Sequence, residues 1–126
     1  MVMELARQDG SLAVWWGSLV ECQSALARLC RDGLLSLQGS EEAKKVLVDL
    51  TASWAEITPG ENIRNIAGRL LFTHPLRASD SLQLAAAILW AEQNPKGHPF
   101  VCFDQRLRDA ARKEGFDVLP AETAVL

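Results

Sequence analysis

The chain has 126 residues, of which 48% are hydrophobic and 23% charged, with a formal net charge of −3 and a sequence pI near 5.3. This balance argues against disorder, and one domain spanning residues 1–126 is expected at this length. The negative charge argues against a protein that coats duplex DNA by charge alone, but not against a nuclease in which a metal and a few arginines hold a phosphate.

Features absent from the sequence predict the location of the protein and the role of its cysteines. No apolar run approaches the roughly 20 residues of a membrane-spanning helix, and the N-terminus shows no secretory signal. The three cysteines form no Cys-x-x-Cys pair. We therefore expect a cytoplasmic protein in which Cys22, Cys30 and Cys102 serve as small core residues.

In its first half the chain alternates predicted helices and strands. Hydrophobic periodicity predicts whether each segment is a helix or a strand, and glycines mark where segments end. The predictions are the end of a helix over 2–9, a strand over 12–16, a helix over 18–31 closed by Gly33, a helix over 40–53 and a short strand over 54–58.

The second half continues the same alternation. Thr58-Pro59-Gly60-Glu61 is predicted as a capping box that opens a helix running to about His74. The segment 80–93 is apolar nearly all round, which is typical of a helix in the interior. A strand over 100–103, a helix over 105–114 capped by Gly115 and a strand over 116–119 follow. Such alternation favours an α/β fold with a mostly parallel sheet.

Three acidic residues stand where predicted helices begin, namely Glu21, Asp80 and Asp104. The carboxyl ends of parallel strands share one edge of an open α/β sheet, and ligands bind there. Carboxylates that converge on that edge repel one another unless a cation or shared protons lie between them. The pattern therefore predicts a site for Mg²⁺ or Mn²⁺.

Each acid also has a purely structural explanation. Ser18-x-x-Glu21 fits a capping box, Asp80 or Ser79 fits the N-cap of the buried helix, and Asp104 fits the N-cap of the helix that follows it. A cap stabilises a helix by roughly 1 kcal/mol, and Ser or Asn would serve as well. The capping and metal-binding interpretations are both kept at this point.

Basic residues accompany the acids in sequence. Arg77 and Arg106 are candidate phosphate contacts. For these two and for the other basic residues named below, a position on a solvent-exposed face is the simpler explanation. His74, directly before Pro75, is expected to be a cation at the end of a helix. The basic residues concerned are Arg77, Arg106, Arg108, Arg112 and Lys113.

Three segments carry a family resemblance that spans nearly the whole chain. They are Val20-Glu21 leading into Ser24-Ala25-Leu26-Ala27-Arg28, His74-Pro75-Leu76-Arg77-Ala78-Ser79-Asp80-Ser81-Leu82-Gln83-Leu84-Ala85-Ala86-Ala87, and Phe100-Val101-Cys102-Phe103-Asp104-Gln105-Arg106-Leu107. Together they resemble the PIN domain, in particular VapC-type toxins of toxin–antitoxin modules.

The resemblance implies a three-layer α/β sandwich and a metal-dependent endoribonuclease that cuts single-stranded or looped RNA. Glu21, Asp80 and Asp104 would carry its acidic cluster and bind Mg²⁺ or Mn²⁺. It also implies a cognate antitoxin as protein partner, and homodimerisation as a family expectation. No membrane association is expected.

One departure from the family concerns the N-terminus. Family members open with a buried central strand that bears an Asp, and this chain starts at about the end of the first helix, so that strand and its Asp are absent. Either the assigned start of the chain is too late or the chain is a truncated copy. Two rival functions therefore stay open: a non-catalytic antitoxin-binding or dimerisation module, and a small phosphohydrolase acting on a low-molecular-weight substrate.

Overall fold

A computed structural model describes residues 12–121 and shows an α/β fold. Within this range the chain forms five helices and four short strands. They are β1 (Ala13–Trp15), α1 (Ser18–Arg31), α2 (Leu37–Ser53), β2 (Ala55–Ile57), α3 (Glu61–Thr73), α4 (Ala78–Trp90), β3 (Pro99–Val101), α5 (Gln105–Glu114) and β4 (Asp117–Leu119). The helix predicted over residues 2–9 lies outside the described range.

The strands form two separate parallel pairs. β1 pairs with β2, with Val14 opposite Glu56, and β3 pairs with β4, with Phe100 opposite Val118. Between residues 12 and 121 no ladder joins one pair to the other. The predicted parallel α/β pairing is confirmed, but the strands do not form one continuous sheet.

Both strand pairs pack on one hydrophobic core, and α4 lies at its centre. Leu84 and Ala85 of α4 have no solvent exposure, and α3 and β1 pack directly against this helix. The interior position predicted for segment 80–93 is therefore confirmed, although α4 starts two residues earlier and ends three residues earlier. The strand residues that join the core are Trp15, Ile57, Phe100 and Val118.

Two predicted helix starts need correction. α2 begins at Leu37 rather than Ser40, because the hydroxyl of Ser36 accepts a hydrogen bond from the Gly39 amide at 2.9 Å and caps the helix there. α3 begins at Glu61 with Gly60 as N-cap and without a side-chain cap, so the predicted Thr58 capping box is not formed. The boundaries of α1 and α5 match the prediction, and Gly115 closes α5 in the left-handed conformation with φ 112°.

α1 is the least enclosed helix of the described chain, because none of its residues is buried. Cys30 is exposed, so its predicted role as a core residue is wrong, whereas Cys22 and Cys102 are half-buried. α1 packs on α2 across an apolar cavity of about 600 Å³. Leu26, Leu47 and Val48 are among its lining residues.

Throughout residues 12–121 no helix has the length and apolar character needed to cross a membrane.

A charged network fastens the end of α3 to the end of α5. His74, the buried C-cap of α3, lies with Nε2 2.7 Å from Oε2 of Glu114, and Arg69 donates to Oε1 of the same carboxylate at 3.1 Å. Burial by itself raises the pKa of Glu114, but the hydrogen bonds from Arg69 and His74 outweigh burial and hold the pKa below its ordinary value of 4.5.

The lowered pKa predicts how this network depends on pH. Its stabilisation is present above pH 4.5 and is lost as the pH falls through the lower folded-state pKa of Glu114. We expect Glu114→Gln to cost about 1 kcal/mol near pH 7 and progressively less in acid. Thermal melts of both chains between neutral and strongly acidic pH measure this, and a constant difference in Tm would contradict it. Glu61→Gln, at an exposed pair with Arg64, is the control.

The complete burial of Leu84 in the core leads to a second prediction. Leu84→Ala should lower the free energy of unfolding by about 2–5 kcal/mol, since it leaves a cavity beside α3 and the strands. Phe72→Ala is the control, because the Phe72 side chain is 96% exposed and its loss should change stability by less than about 0.5 kcal/mol. Urea unfolding compares the two, and equal losses would place α4 outside the core.

Candidate functional site

Glu21 lies in the first turn of α1, directly after β1. Gly17 is the N-cap of this helix and no side chain caps it, so the predicted Ser18 capping box is not formed. The half-buried Glu21 carboxylate instead accepts a hydrogen bond from the side-chain amide of Gln83 on α4. The carboxylate therefore connects two elements that are 62 residues apart in sequence.

Asp80 lies in the first turn of α4, and its side chain is only 10% exposed. Arg77 is the N-cap residue, and no side chain caps the helix, so the predicted capping role of Asp80 or Ser79 is wrong. Oδ2 of Asp80 accepts from Nε of Arg77 at 3.3 Å, and the Arg77 side chain is otherwise 74% exposed. The N-terminal end of the helix dipole favours this buried negative charge.

Asp104 is the N-cap of α5, as the structural explanation predicts. Its Oδ1 accepts from the Leu107 amide at 3.0 Å, and the residue is exposed. Of the three acids only Asp104 caps a helix through its side chain. Capping therefore does not account for Glu21 or Asp80.

Two of the three acids are connected through α4. Asp80 and Gln83 lie one helical turn apart and so share a face, and Gln83 reaches Glu21. The half-buried thiol of Cys102 lies just past β3. Its pKa is raised chiefly by burial and additionally by the charges of Asp104 and Asp80.

Within the described chain the three acids do not form a ligand shell. Within residues 12–121 no three His, Cys, Asp or Glu side chains lie close enough together to hold one metal ion. The donor chemistry nevertheless fits Mg²⁺ or Mn²⁺, which bind carboxylate oxygens, and Mg²⁺ keeps several waters and takes one or two carboxylates. In the described part of the chain, Oδ1 of Asp80 and Oδ2 of Asp104 accept no hydrogen bond.

The basic residues near the acids take different positions. Arg77 pairs with Asp80, and Arg106 is exposed in the first turn of α5. Arg108 is only 1% exposed, which corrects the expectation of a solvated face. Its guanidinium donates to the carbonyls of Cys102 at 2.9 Å and Pro120 at 2.7 Å, so it fastens together the carboxyl ends of β3 and β4.

Gln83 is the site residue that sequence reasoning missed. A signal was present, because Gln83 follows Asp80 at the three-residue spacing that puts two side chains on one helix face. What the sequence could not show is that this face meets α1. That contact depends on how β1 positions α1 beside α4.

Comparison of the chain with protein-family models, curated protein sequences and solved structures finds no match. The resemblance to the PIN domain therefore depends on the sequence motifs alone. The structure adds where those motifs lie: the three acids occupy the first turns of α1 and α4 and the N-cap of α5.

Substitutions of Asp104 distinguish the stability that the helix cap provides from the stability that the carboxylate charge provides. Asp104→Ala should destabilise the fold by about 1 kcal/mol, because the Leu107 amide loses its acceptor, whereas Asp104→Asn should keep the cap and nearly all the stability. Chemical denaturation of the two variants measures the difference. Equal destabilisation by Ala and Asn would show that the carboxylate charge itself stabilises the fold.

Proposed function

We propose that the chain is a metal-dependent endoribonuclease of the PIN-domain type, similar to VapC toxins, that hydrolyses phosphodiester bonds in RNA. The proposal is supported by the positions of three acids at helix starts: Glu21 and Asp80 lie in the first turns of α1 and α4, and Asp104 is the N-cap of α5. Two of the three are not used as caps, and Asp80 is a buried carboxylate whose ion-pair partner in residues 12–121 is one largely exposed arginine.

Asp80 and Asp104 would hold the Mg²⁺ or Mn²⁺ directly, and Glu21 would complete the acidic cluster. When bound, the cation supplies an activated water and offsets negative charge that develops on the phosphate. Gln83 orients the Glu21 carboxylate through its amide. The guanidinium groups of Arg77 and Arg106 are exposed and are available to bind the phosphates of an RNA strand.

This proposal includes a PIN-like sandwich in which the helices cover both strand pairs. Because no three His, Cys, Asp or Glu side chains of residues 12–121 lie close enough together to hold one metal ion, metal affinity is expected to be weak. Assays should therefore use millimolar Mn²⁺. The proposal also includes a cognate antitoxin as partner and the cytoplasm as location.

Metal-dependent cleavage is the direct test. In Mn²⁺ the chain should cleave a structured RNA pool, and Asp80→Asn should reduce the rate by at least the 10–100-fold that loss of an outer-shell partner typically costs a metal site. Mn²⁺ should also raise the Tm of the parent chain and not that of Asp80→Asn. Gel analysis of RNA products and thermal melts provide the two measurements.

Asp49→Asn is the matched control, because Asp49 is an exposed acid on α2. It should cleave and bind Mn²⁺ like the parent. Asp104→Asn, which preserves the cap, should lose cleavage while it keeps stability. Cleavage that survives both Asp80→Asn and Asp104→Asn would remove the acidic cluster from the mechanism. Hydrolysis of a generic phosphodiester without preference for RNA would instead favour the small-substrate phosphohydrolase.

The apolar cavity between α1 and α2 favours a second candidate, a non-catalytic antitoxin-binding or dimerisation module. Helix α1 buries no residue, and Val48 at the cavity is 66% exposed. This function does not depend on the acids. It predicts no Mn²⁺ stabilisation, no cleavage, and partner binding that Asp80→Asn leaves intact but Val48→Glu weakens.

A further inference from the structure

The ion pair between Arg77 and Asp80 joins an exposed cation to a buried carboxylate. Nε of Arg77 donates to Oδ2 of Asp80 at 3.3 Å, and the two side chains are 74% and 10% exposed. The other ion pairs at three-residue spacing in residues 12–121 connect side chains that are all more than half exposed. Asp80 is therefore the carboxylate among these pairs that burial deprives of water, and it depends on a counter-charge.

Arg77 does not help α4 to begin. It is the N-cap residue of this helix. Residues favoured at an N-cap accept a hydrogen bond from the first amides of the helix, whereas a guanidinium has only donors. The helix dipole also disfavours a cation at this end. The position of Arg77 is therefore explained by its partner Asp80 and not by the helix.

The pair leaves part of each group without a partner. Among the residues that the structure describes, Nε is the only guanidinium atom of Arg77 that makes a hydrogen bond, and Oδ1 of Asp80 accepts none. Arg77 can therefore leave Asp80 without breaking another side-chain contact. Its two terminal NH₂ groups are exposed to solvent, and such groups bind phosphate oxygens through two parallel hydrogen bonds.

Electrostatics favour exchange of this counter-charge. An ion pair to an exposed arginine is weakened by water and salt, while the N-terminal end of the helix dipole stabilises the Asp80 carboxylate by itself. Mn²⁺ prefers carboxylate oxygens and carries twice the charge of a guanidinium. Two cations at one carboxylate repel each other. Arg77 and a divalent cation therefore compete for Asp80.

We propose that Arg77 is an internal counter-ion of Asp80 that a divalent cation displaces, and that the displaced guanidinium then binds a phosphate of a single-stranded nucleic acid. Arg77 thus opposes metal binding in the free chain and supports substrate binding once the metal is bound. Coupling between two ligands of one site is reciprocal, so removal of the guanidinium strengthens metal binding.

This inference rests on the proposed function for the metal and the RNA, and it adds the role of Arg77 in exchanging one for the other. It is tested by binding measurements, so the result does not depend on whether RNA is cleaved.

The first measurement is the affinity for Mn²⁺ alone, followed by the loss of the electron paramagnetic resonance signal of free Mn²⁺ on binding. Arg77→Gln should bind Mn²⁺ about fivefold more tightly than the parent chain, because the competing cation is gone. Arg77→Lys keeps the positive charge and should bind Mn²⁺ less tightly than Arg77→Gln. Without metal, Arg77→Gln should melt at a lower temperature than the parent, and Mn²⁺ should raise its Tm by more.

Two controls make this result specific. Arg64→Gln causes the same change of net charge at an ion pair of the same spacing, but Arg64 and Glu61 are both exposed. It should leave the affinity for Mn²⁺ unchanged. Asp80→Asn removes the carboxylate for which the two cations compete, so adding Arg77→Gln to it should no longer strengthen Mn²⁺ binding.

The second measurement tests the phosphate contact. Fluorescence anisotropy follows a labelled single-stranded 2′-O-methyl oligoribonucleotide in saturating Mn²⁺, and a gel confirms that the strand stays intact. Arg77→Gln should bind it more weakly than the parent. The slope of log affinity against log salt concentration should also fall in magnitude by about one, as expected for one lost phosphate contact. Arg64→Gln should change neither value.

Three outcomes would overturn the proposal. Equal Mn²⁺ affinity of Arg77→Gln and the parent, or no Mn²⁺ binding to either, would remove the counter-ion role. Oligonucleotide affinity that does not respond to Arg77→Gln would remove the phosphate role.

The proposed ribonuclease activity fails separately. If both binding measurements give the expected result and the parent does not cleave RNA, the exchange role of Arg77 stands without the enzyme. If the parent cleaves RNA and Arg77→Gln changes neither affinity, the enzyme stands and the exchange role is wrong.

Discussion

Enclosure of α4 is the constraint on which the rest of the structure depends. This helix is apolar nearly all round, so it is stabilised only when neighbouring elements bury it on several sides. α3 packs along it, α5 and β1 contact it, and residues of both strand pairs join the same core. Asp80 stands in its first turn and is therefore carried into a largely buried position, where a carboxylate needs a counter-charge.

The positions of the three acids follow from the elements that carry them. α1 follows β1, which packs on α4, so Glu21 meets Gln83, and α5, which follows β3, carries Asp104 at its N-cap. Each acid is thus positioned by a different part of the fold. The exposed Arg77 is the only ion pair of Asp80 in the described residues, which leaves the buried carboxylate available to a cation.

The core around α4 holds two strand pairs that no backbone hydrogen-bond ladder joins within the described residues. Side-chain burial keeps both strand pairs on the core, although no backbone ladder joins the pairs within residues 12–121. Arg108 bridges the ends of β3 and β4, and Glu114 joins α3 to α5.

Local physical chemistry in the sequence determined most of the elements. The apolar periodicity of α1, the all-apolar run of α4 and Gly115 after α5 sufficed to predict those helices, because each depends on side chains within a few turns. The capping role of Asp104 was predictable for the same reason. The start of α2 was missed because Ser36 caps it without an acidic residue three positions later, and Arg108 was misassigned because its partners are carbonyls at two strand ends. Only the tertiary structure decided that Glu21 bonds Gln83, that α1 stays unburied and that the strands divide into two pairs. These features depend on contacts between residues far apart in sequence, and no local pattern encodes which surfaces the fold brings together.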